Sequence, residues 1–369
     1  MPEPFFNSLY VHVPFCAAKC AYCAFYSEAG LDGSWHRRWL ERIETEFHAH
    51  ASACTPLSSI FIGGGTPTLL APEDLQRLFD AIHRHFRLAG DCEISIEANP
   101  GSLNLEKIAV LAAAGVNRVS LGVQSFSPRW RQILGRLADP AGVPILLDEL
   151  RAAGIRRLNL DLIYAIPGQT LADWEEDLRR AGDLGISHLS AYALTFEEGT
   201  RLAGAGETPA DDELQVAMWD KAAEILGSYG LQRYEISNYA RPGAECRHNL
   251  DIWLGGTYLG AGPAAASFDG CRRWTNPADL RQWLAGAPPE LDEISAEARA
   301  AEILAFGLRT TAGWDLETFR QKTGFSATTL RGETIADLCR QELLALVENR
   351  LRCTRTGLLF NDHVLRELL

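Results

Sequence analysis

The chain has 369 residues, 47% hydrophobic and 22% charged, which is the balance of a globular protein with a large core. Its formal net charge of −13 repels phosphate backbones and anionic headgroups and so excludes nucleic acid as a general partner. RWRQILGR (129–136) reads either as a local basic patch or as a solvated helix face. The sequence shows no leader pattern and no run of about 18 apolar residues, and its nine cysteines, an odd number, argue for reduced thiols; the expected setting is cytoplasmic, with no integral membrane segment.

From residue 8 to about 240 one unit recurs: a short apolar strand, a Gly, Pro or polar turn, then an amphipathic helix. The expected strands are SLYVHV (8–13), SIFIGG (59–64), EISIEA (93–98), RVSLGV (118–123), RLNLDLI (157–163) and HLSAYAL (188–194). Helices are expected over 34–50, 72–86, 104–114, 141–153, 171–184 and 211–229, several closed by a glycine C-cap. Such alternation implies parallel strands with helical crossovers. Polar signatures at the C-terminal strand ends favour an α/β partial TIM-like (β/α)6 barrel over a doubly wound sheet.

The Pro-rich stretch AGAPPELDE (285–293) reads as a linker. The expected division is a barrel over 1–240, a connecting segment over 241–292 and a small C-terminal α+β unit over 293–369. In that last unit, helices over 296–309, 315–323 and 331–346 and a hairpin over 349–360, turning near Thr356 and Gly357, resemble a winged-helix module. The acidity of the chain makes that module a structural or docking element rather than a DNA reader.

Directly after the first strand, Cys16, Cys20 and Cys23 have the spacing CxxxCxxC. Three thiolates on one loop can hold three irons of a cubane and leave the fourth iron open. The alternatives are buried small hydrophobes or structural zinc, for which His12 is the only obvious fourth ligand.

The longer string YVHVPFCAAKCAYCAF (10–25) resembles the opening of the radical SAM family that contains oxygen-independent coproporphyrinogen III dehydrogenase. The resemblance implies a 4Fe–4S cluster whose open iron is chelated by the amino and carboxylate groups of S-adenosylmethionine (SAM), and reductive cleavage of SAM to a 5'-deoxyadenosyl radical. In GGGTP (63–67), Gly64, Gly65 and Thr66 match the family segment that receives the methionine amino group. Glu97 matches a position beside the methionine moiety, Gln124 and Asp161 positions near the ribose, Arg136 the partner of the methionine carboxylate, and Tyr10 a position near the bound cofactor. Each of these residues taken alone reads as a surface, network or core residue.

Two branches of that family differ in this region. The porphyrinogen-oxidising branch has a further Cys where this chain has Phe25, and a longer segment before its cluster loop, whereas fifteen residues precede Cys16 here. The heme-chaperone branch has HNxxYW; HNLDIW (248–253) matches it at His248, Asn249 and Trp253, with Ile252 in place of the tyrosine. That resemblance implies His248 as a heme ligand, heme as cargo, and heme-donor and respiratory apoprotein acceptors as partners, with any contact to the membrane made through them. The alternative is coproporphyrinogen III dehydrogenase or another radical SAM oxidoreductase or methyltransferase. The remaining cysteines show no cluster spacing and read as packing residues.

Overall fold

All six expected strands form: β1 (Phe6–Val13), β2 (Cys54–Gly64), β3 (Leu88–Ala98), β4 (Arg118–Gln124), β5 (Arg157–Tyr164) and β6 (His188–Ala193). The computed structural model describes residues 5–136 and 139–369; residues 1–4 and 137–138, which fall inside the expected barrel unit, lie outside the described residues. Neighbouring strands pair in parallel from β1 to β6, and helices fill the crossovers close to the expected bounds, such as Gly33–His50, Leu171–Asp183 and Asp212–Ser228. Thr170 and Asp173 form a reciprocal capping box that fixes the start of Leu171–Asp183.

The alternation along these strands decides what the barrel holds. Successive residues point to opposite faces. One face, with Leu9, Val11, Ile60, Ile62, Ile94, Ile96, Val119, Leu121, Leu158 and Leu160, is wholly buried in the apolar core beneath the helices. The opposite face carries Ser8, Tyr10 and His12 on β1, Glu93, Ser95 and Glu97 on β3, Arg118 and Ser120 on β4, Asn159 and Asp161 on β5, and His188 and Ser190 on β6. Barrels of this kind ordinarily fill their interior with layers of Val, Ile and Leu. Here the interior is lined with hydrogen-bonding groups, which require partners of their own or a polar guest.

The sheet stays open, as a partial barrel must. Beyond β6 it continues through antiparallel Asn238–Ala240 and Gln232–Arg233. Beyond β1 it continues through parallel Tyr258–Ala261 and then antiparallel Ala266–Phe268, Arg272–Thr275 and Glu290–Glu293. The segment expected as a connection is thus built into the sheet, and Glu290–Glu293, inside the expected linker, is its outermost strand.

The C-terminal unit has helices Ala296–Gly307, Leu316–Thr323 and Ala327–Arg340 and a three-stranded antiparallel sheet in which Leu344–Val347 pairs with Arg350–Cys353, and that strand with Trp314–Asp315. This is the winged-helix arrangement, but the hairpin turns at Glu348 and Asn349, with φ of 49° and 65°, not at Thr356 and Gly357. Those two residues lie in the helix Arg355–Leu359, whose N-cap is Thr354. The helix expected over 331–346 ends at Arg340, because Leu344–Val347 is a strand. RWRQILGR offers neither a basic patch nor a solvated face at its centre: Arg131 is buried and donates to the carbonyls of Val123 and Ser125. No described helix is long and apolar enough to cross a membrane.

Candidate functional site

The cysteine loop crosses the upper end of the barrel, where the C-terminal ends of the strands open. Backbone bonds stitch it down: Ala21 N–H to Leu134 O at 3.0 Å, Leu202 N–H to Ala21 O at 2.8 Å, and the Arg201 guanidinium to Lys19 O at 2.7 Å. Cys16, Cys20 and Cys23 are free thiols and half-buried. Burial pushes the Cys23 thiol up, and the nearby Cys20 and Cys16 sulfurs push the same way. A coordinated metal reverses that direction by holding the sulfur as thiolate. Among the described residues no three His, Cys, Asp or Glu side chains stand where a single ion would engage them all. Thiolates of a cubane each bind a different iron and need not converge on one point. His12 is spent elsewhere: its Nε2 donates to Tyr26 O at 3.0 Å and its Nδ1 accepts from the Tyr10 hydroxyl at 3.0 Å, which leaves no lone pair for zinc.

Next to the cysteines lies the glycine turn. Gly65 N–H donates to Val13 O at 2.8 Å and Thr66 N–H to Phe15 O at 2.7 Å, and Thr66 Oγ1 stands 3.7 Å from Cys16 Sγ. A Cβ on Gly65 would lie 2.6 Å from Phe15 O, so only glycine permits the two loops to touch. Gly64 has φ of +108°, and its N–H donates to Glu97 Oε2 at 3.1 Å. Arg136 reaches across the mouth, donating to Gly122 O and, at 3.4 Å, to Cys20 Sγ. Gln124 ends β4 with φ of 70° at a register shift, a strained conformation that turns its side chain off the strand's alternation.

Below the mouth two carboxylates face each other. Burial, and then the charge of Asp161, push the Glu97 carboxyl up to about 8. Burial also raises Asp161, opposed by hydrogen bonds from Ser120 Oγ at 3.0 Å and Asn159 Nδ2 at 2.7 Å. At neutral pH the pair therefore holds a proton and presents both a donor and acceptors, as hydroxyl and amine ligands require. Most of the residues expected around SAM thus stand together at one end of the barrel, whereas Tyr10 lies deeper, its ring stacked on Phe61 with centroids 6.3 Å apart. Sequence reasoning missed Tyr22, half-buried beside Arg136 and Cys20, although its position between two cluster cysteines was a usable signal.

His248 stands elsewhere. It is 3% exposed, at the lower end of the barrel, on the short helix Arg247–Trp253. Its ring stacks on Phe61 with centroids 5.3 Å apart. His248 Nδ1 donates to Ser59 Oγ at 2.9 Å, and Ser59 Oγ donates onward to Ser8 Oγ at 3.0 Å. Burial, and then the nearby Arg118 charge, lower its pKa to about 3, so the ring is neutral. Glu93, fully buried, holds the start of that helix by accepting from Arg247 N and His248 N at 3.2 Å each and from Cys246 Sγ at 3.6 Å.

An open parallel barrel with a three-cysteine loop over a polar mouth is the architecture of a radical SAM protein. The radical SAM superfamily matches residues 10–181, and the HemN C-terminal domain matches 294–360. Within that class the chain belongs to the HemW family. It is 38% identical to the heme chaperone HemW of Mycobacterium tuberculosis, covering 100% of this chain and 95% of the relative. It is 33% identical to that of Bacillus subtilis, covering 97% and 98%. The fold matches Escherichia coli coproporphyrinogen III oxidase (HemN) with a TM-score of 0.87 at 23% identity, over 99% of this chain and 90% of that one. Membership implies a 4Fe–4S cluster and SAM as cofactors.

Proposed function

We propose that this chain is a heme chaperone on a radical SAM scaffold, binding heme and passing it to apoproteins such as respiratory heme enzymes. In this reading Cys16, Cys20 and Cys23 hold the cluster, and Gly64, Gly65, Thr66, Arg136, Glu97, Gln124, Asp161 and Tyr10 hold SAM. When bound, the pair supplies reductive chemistry at the barrel mouth. Arg136 orients the methionine carboxylate, and the Glu97–Asp161 pair receives amine and ribose hydroxyl groups. Phe25, 72% exposed, offers no ligand where the porphyrinogen-oxidising branch has its extra cysteine. The protein works in the cytoplasm and meets the membrane only through its partners.

The single observation that carries the heme assignment is the buried, neutral His248 ring bonded at Nδ1 to Ser59 Oγ. A hydrogen bond from Nδ1 to Ser59 Oγ leaves Nε2 with the lone pair that an iron ligand needs. Because the ring is buried, iron reaches it only when the helix Arg247–Trp253 moves outward. The test is anaerobic reconstitution followed by hemin titration of wild type and His248→Ala. The variant is expected to bind hemin at least about tenfold more weakly with unchanged cluster absorption. Unaltered hemin affinity removes His248 from the role, and turnover of coproporphyrinogen III by the wild type overturns the chaperone reading in favour of the dehydrogenase.

A further inference from the structure

A cavity of about 280 Å³ opens between the helix Arg247–Trp253, the added strands beyond β1 and the helix Ala296–Gly307. Its apolar walls are Trp253, Tyr258, Phe268 and Phe306; Arg273, Arg299 and Arg309 also line it. Tyr258 and Phe268 pack with ring centroids 6.3 Å apart, and Arg309 lies 5.2 Å over the Trp253 ring. Arg309 is committed to Glu235 at 3.0 Å, whereas Arg273 is held by half-exposed Glu302, and Arg299 donates from Nη1 to Gly270 O at 2.7 Å while its buried Nε has no partner. Three arginines around one aromatic cleft stand out in a chain of net charge −13.

The groove also continues the layer that contains His248. Tyr258 pairs in register with Ser8, and Ser8 is linked to His248 through Ser59. Phe268 and Arg273 follow in register on the next two strands, so they share that face of the sheet.

We propose that this groove seats the carboxylate-bearing edge of a porphyrin, with the ring edge against the aromatic walls and the carboxylates on Arg273 and Arg299. The inference rests on the heme-handling reading above and adds the residues that recognise the organic part of the cargo. Planar guanidinium groups match carboxylates in geometry, and aromatic walls match a flat conjugated ring. The cavity is smaller than the roughly 300–1,000 Å³ of sites that enclose drug-sized ligands. A porphyrin seated there leaves much of its surface exposed, as a cargo that must be handed on requires.

The test titrates the reconstituted protein with hemin, with iron-free protoporphyrin IX and with protoporphyrin IX dimethyl ester, read by tryptophan quenching and Soret absorption. Protoporphyrin IX has no iron for His248 and therefore reads the groove alone. The double variant Arg273→Ala, Arg299→Ala is expected to weaken both diacids at least about tenfold and leave the ester unchanged. Glu302→Gln frees Arg273 and is expected to tighten the diacids, a gain that misfolding cannot produce. Unchanged diacid affinity in the double variant, or an ester that binds wild type as tightly as the diacid, overturns the groove. Arginine-dependent protoporphyrin binding without hemin transfer to any apoprotein supports the groove and overturns the chaperone reading; transfer without arginine dependence does the reverse.

Discussion

Replacing Gly64 by alanine tests whether the glycine turn and the strand beneath it form one rigid cradle. Its φ of +108° is a conformation that other residues adopt only at about 1–3 kcal/mol. The new Cβ would lie 2.6 Å from Cε1 of His12. The imidazole cannot simply swing aside, because Tyr10 and Tyr26 hold its two nitrogens at 3.0 Å each. Displacing it forfeits two hydrogen bonds of about 1 kcal/mol apiece, which brings the total to about 3–5 kcal/mol. Denaturant unfolding of the cofactor-free variant measures that loss. Gly90→Ala is the control: exposed, on the same sheet, with nothing within 4 Å of its added Cβ, it is expected to stay within about 0.5 kcal/mol of wild type. Because the Gly64 N–H is bonded to Glu97, calorimetric titration of the reconstituted variant with SAM should show at least about tenfold weaker binding. Wild-type stability together with wild-type SAM affinity would refute the cradle.

Glu97 gives a pH signature. Its carboxyl keeps a proton up to about 8 in the folded, cofactor-free protein against an ordinary value of 4.5, so the folded state binds more protons across that window and its stability falls as pH rises. Glu97→Gln cannot ionise, so its stability advantage over wild type should grow from about pH 5 to pH 8; a constant difference rules out the shifted carboxyl. Cys246, buried and with its thiol pushed up to about 11, is expected to be irrelevant to the cluster. Cys246→Ala should keep full iron content after reconstitution, whereas Cys20→Ala should lose the cluster absorption. Glu93→Gln leaves at least one of the amides at Arg247 and His248 without its acceptor and should destabilise the fold by about 1–3 kcal/mol. Hydrogen exchange at residues 246–250 should rise selectively, and uniform protection there would disprove the capping role of Glu93.

What the sequence made legible follows from range. Local periodicity placed the six strands and their helices within a few residues, because a buried apolar face imposes its period on the residues that form it. It failed where a local signal had competitors. Thr356 and Gly357 carry turn chemistry, but the chain spends it inside a capped helix; the true turn falls at Glu348 and Asn349, where Asn tolerates a left-handed backbone and Glu gives no warning. The strands of three or four residues after residue 257 are too short to show an alternating pattern, and partners on other strands decide that they form. The three cysteines and the glycine turn were readable because one short loop holds each group. Glu93 meets Cys246 and His248 only through folding, more than 150 positions away. One long-range feature was nevertheless in plain view. SLYVHV, EISIEA and RLNLDLI alternate apolar with polar residues, and with helices expected outside, the polar set could only face the lumen.

That polar lumen changes the meaning of His248. Read as a motif, HNLDIW suggests a surface histidine offered to a ligand. In the fold, the same histidine is a wall of the barrel's lower layer, bonded through Ser59 to Ser8 and held at its backbone by Glu93. Glu93 sits on β3, and four residues further along the same inward face of that strand Glu97 holds the glycine turn beside the cysteine loop. One strand therefore carries the anchors of both ends, the glycine turn above and the HNLDIW helix below. The helix Arg247–Trp253 is built onto the radical SAM barrel rather than appended to it.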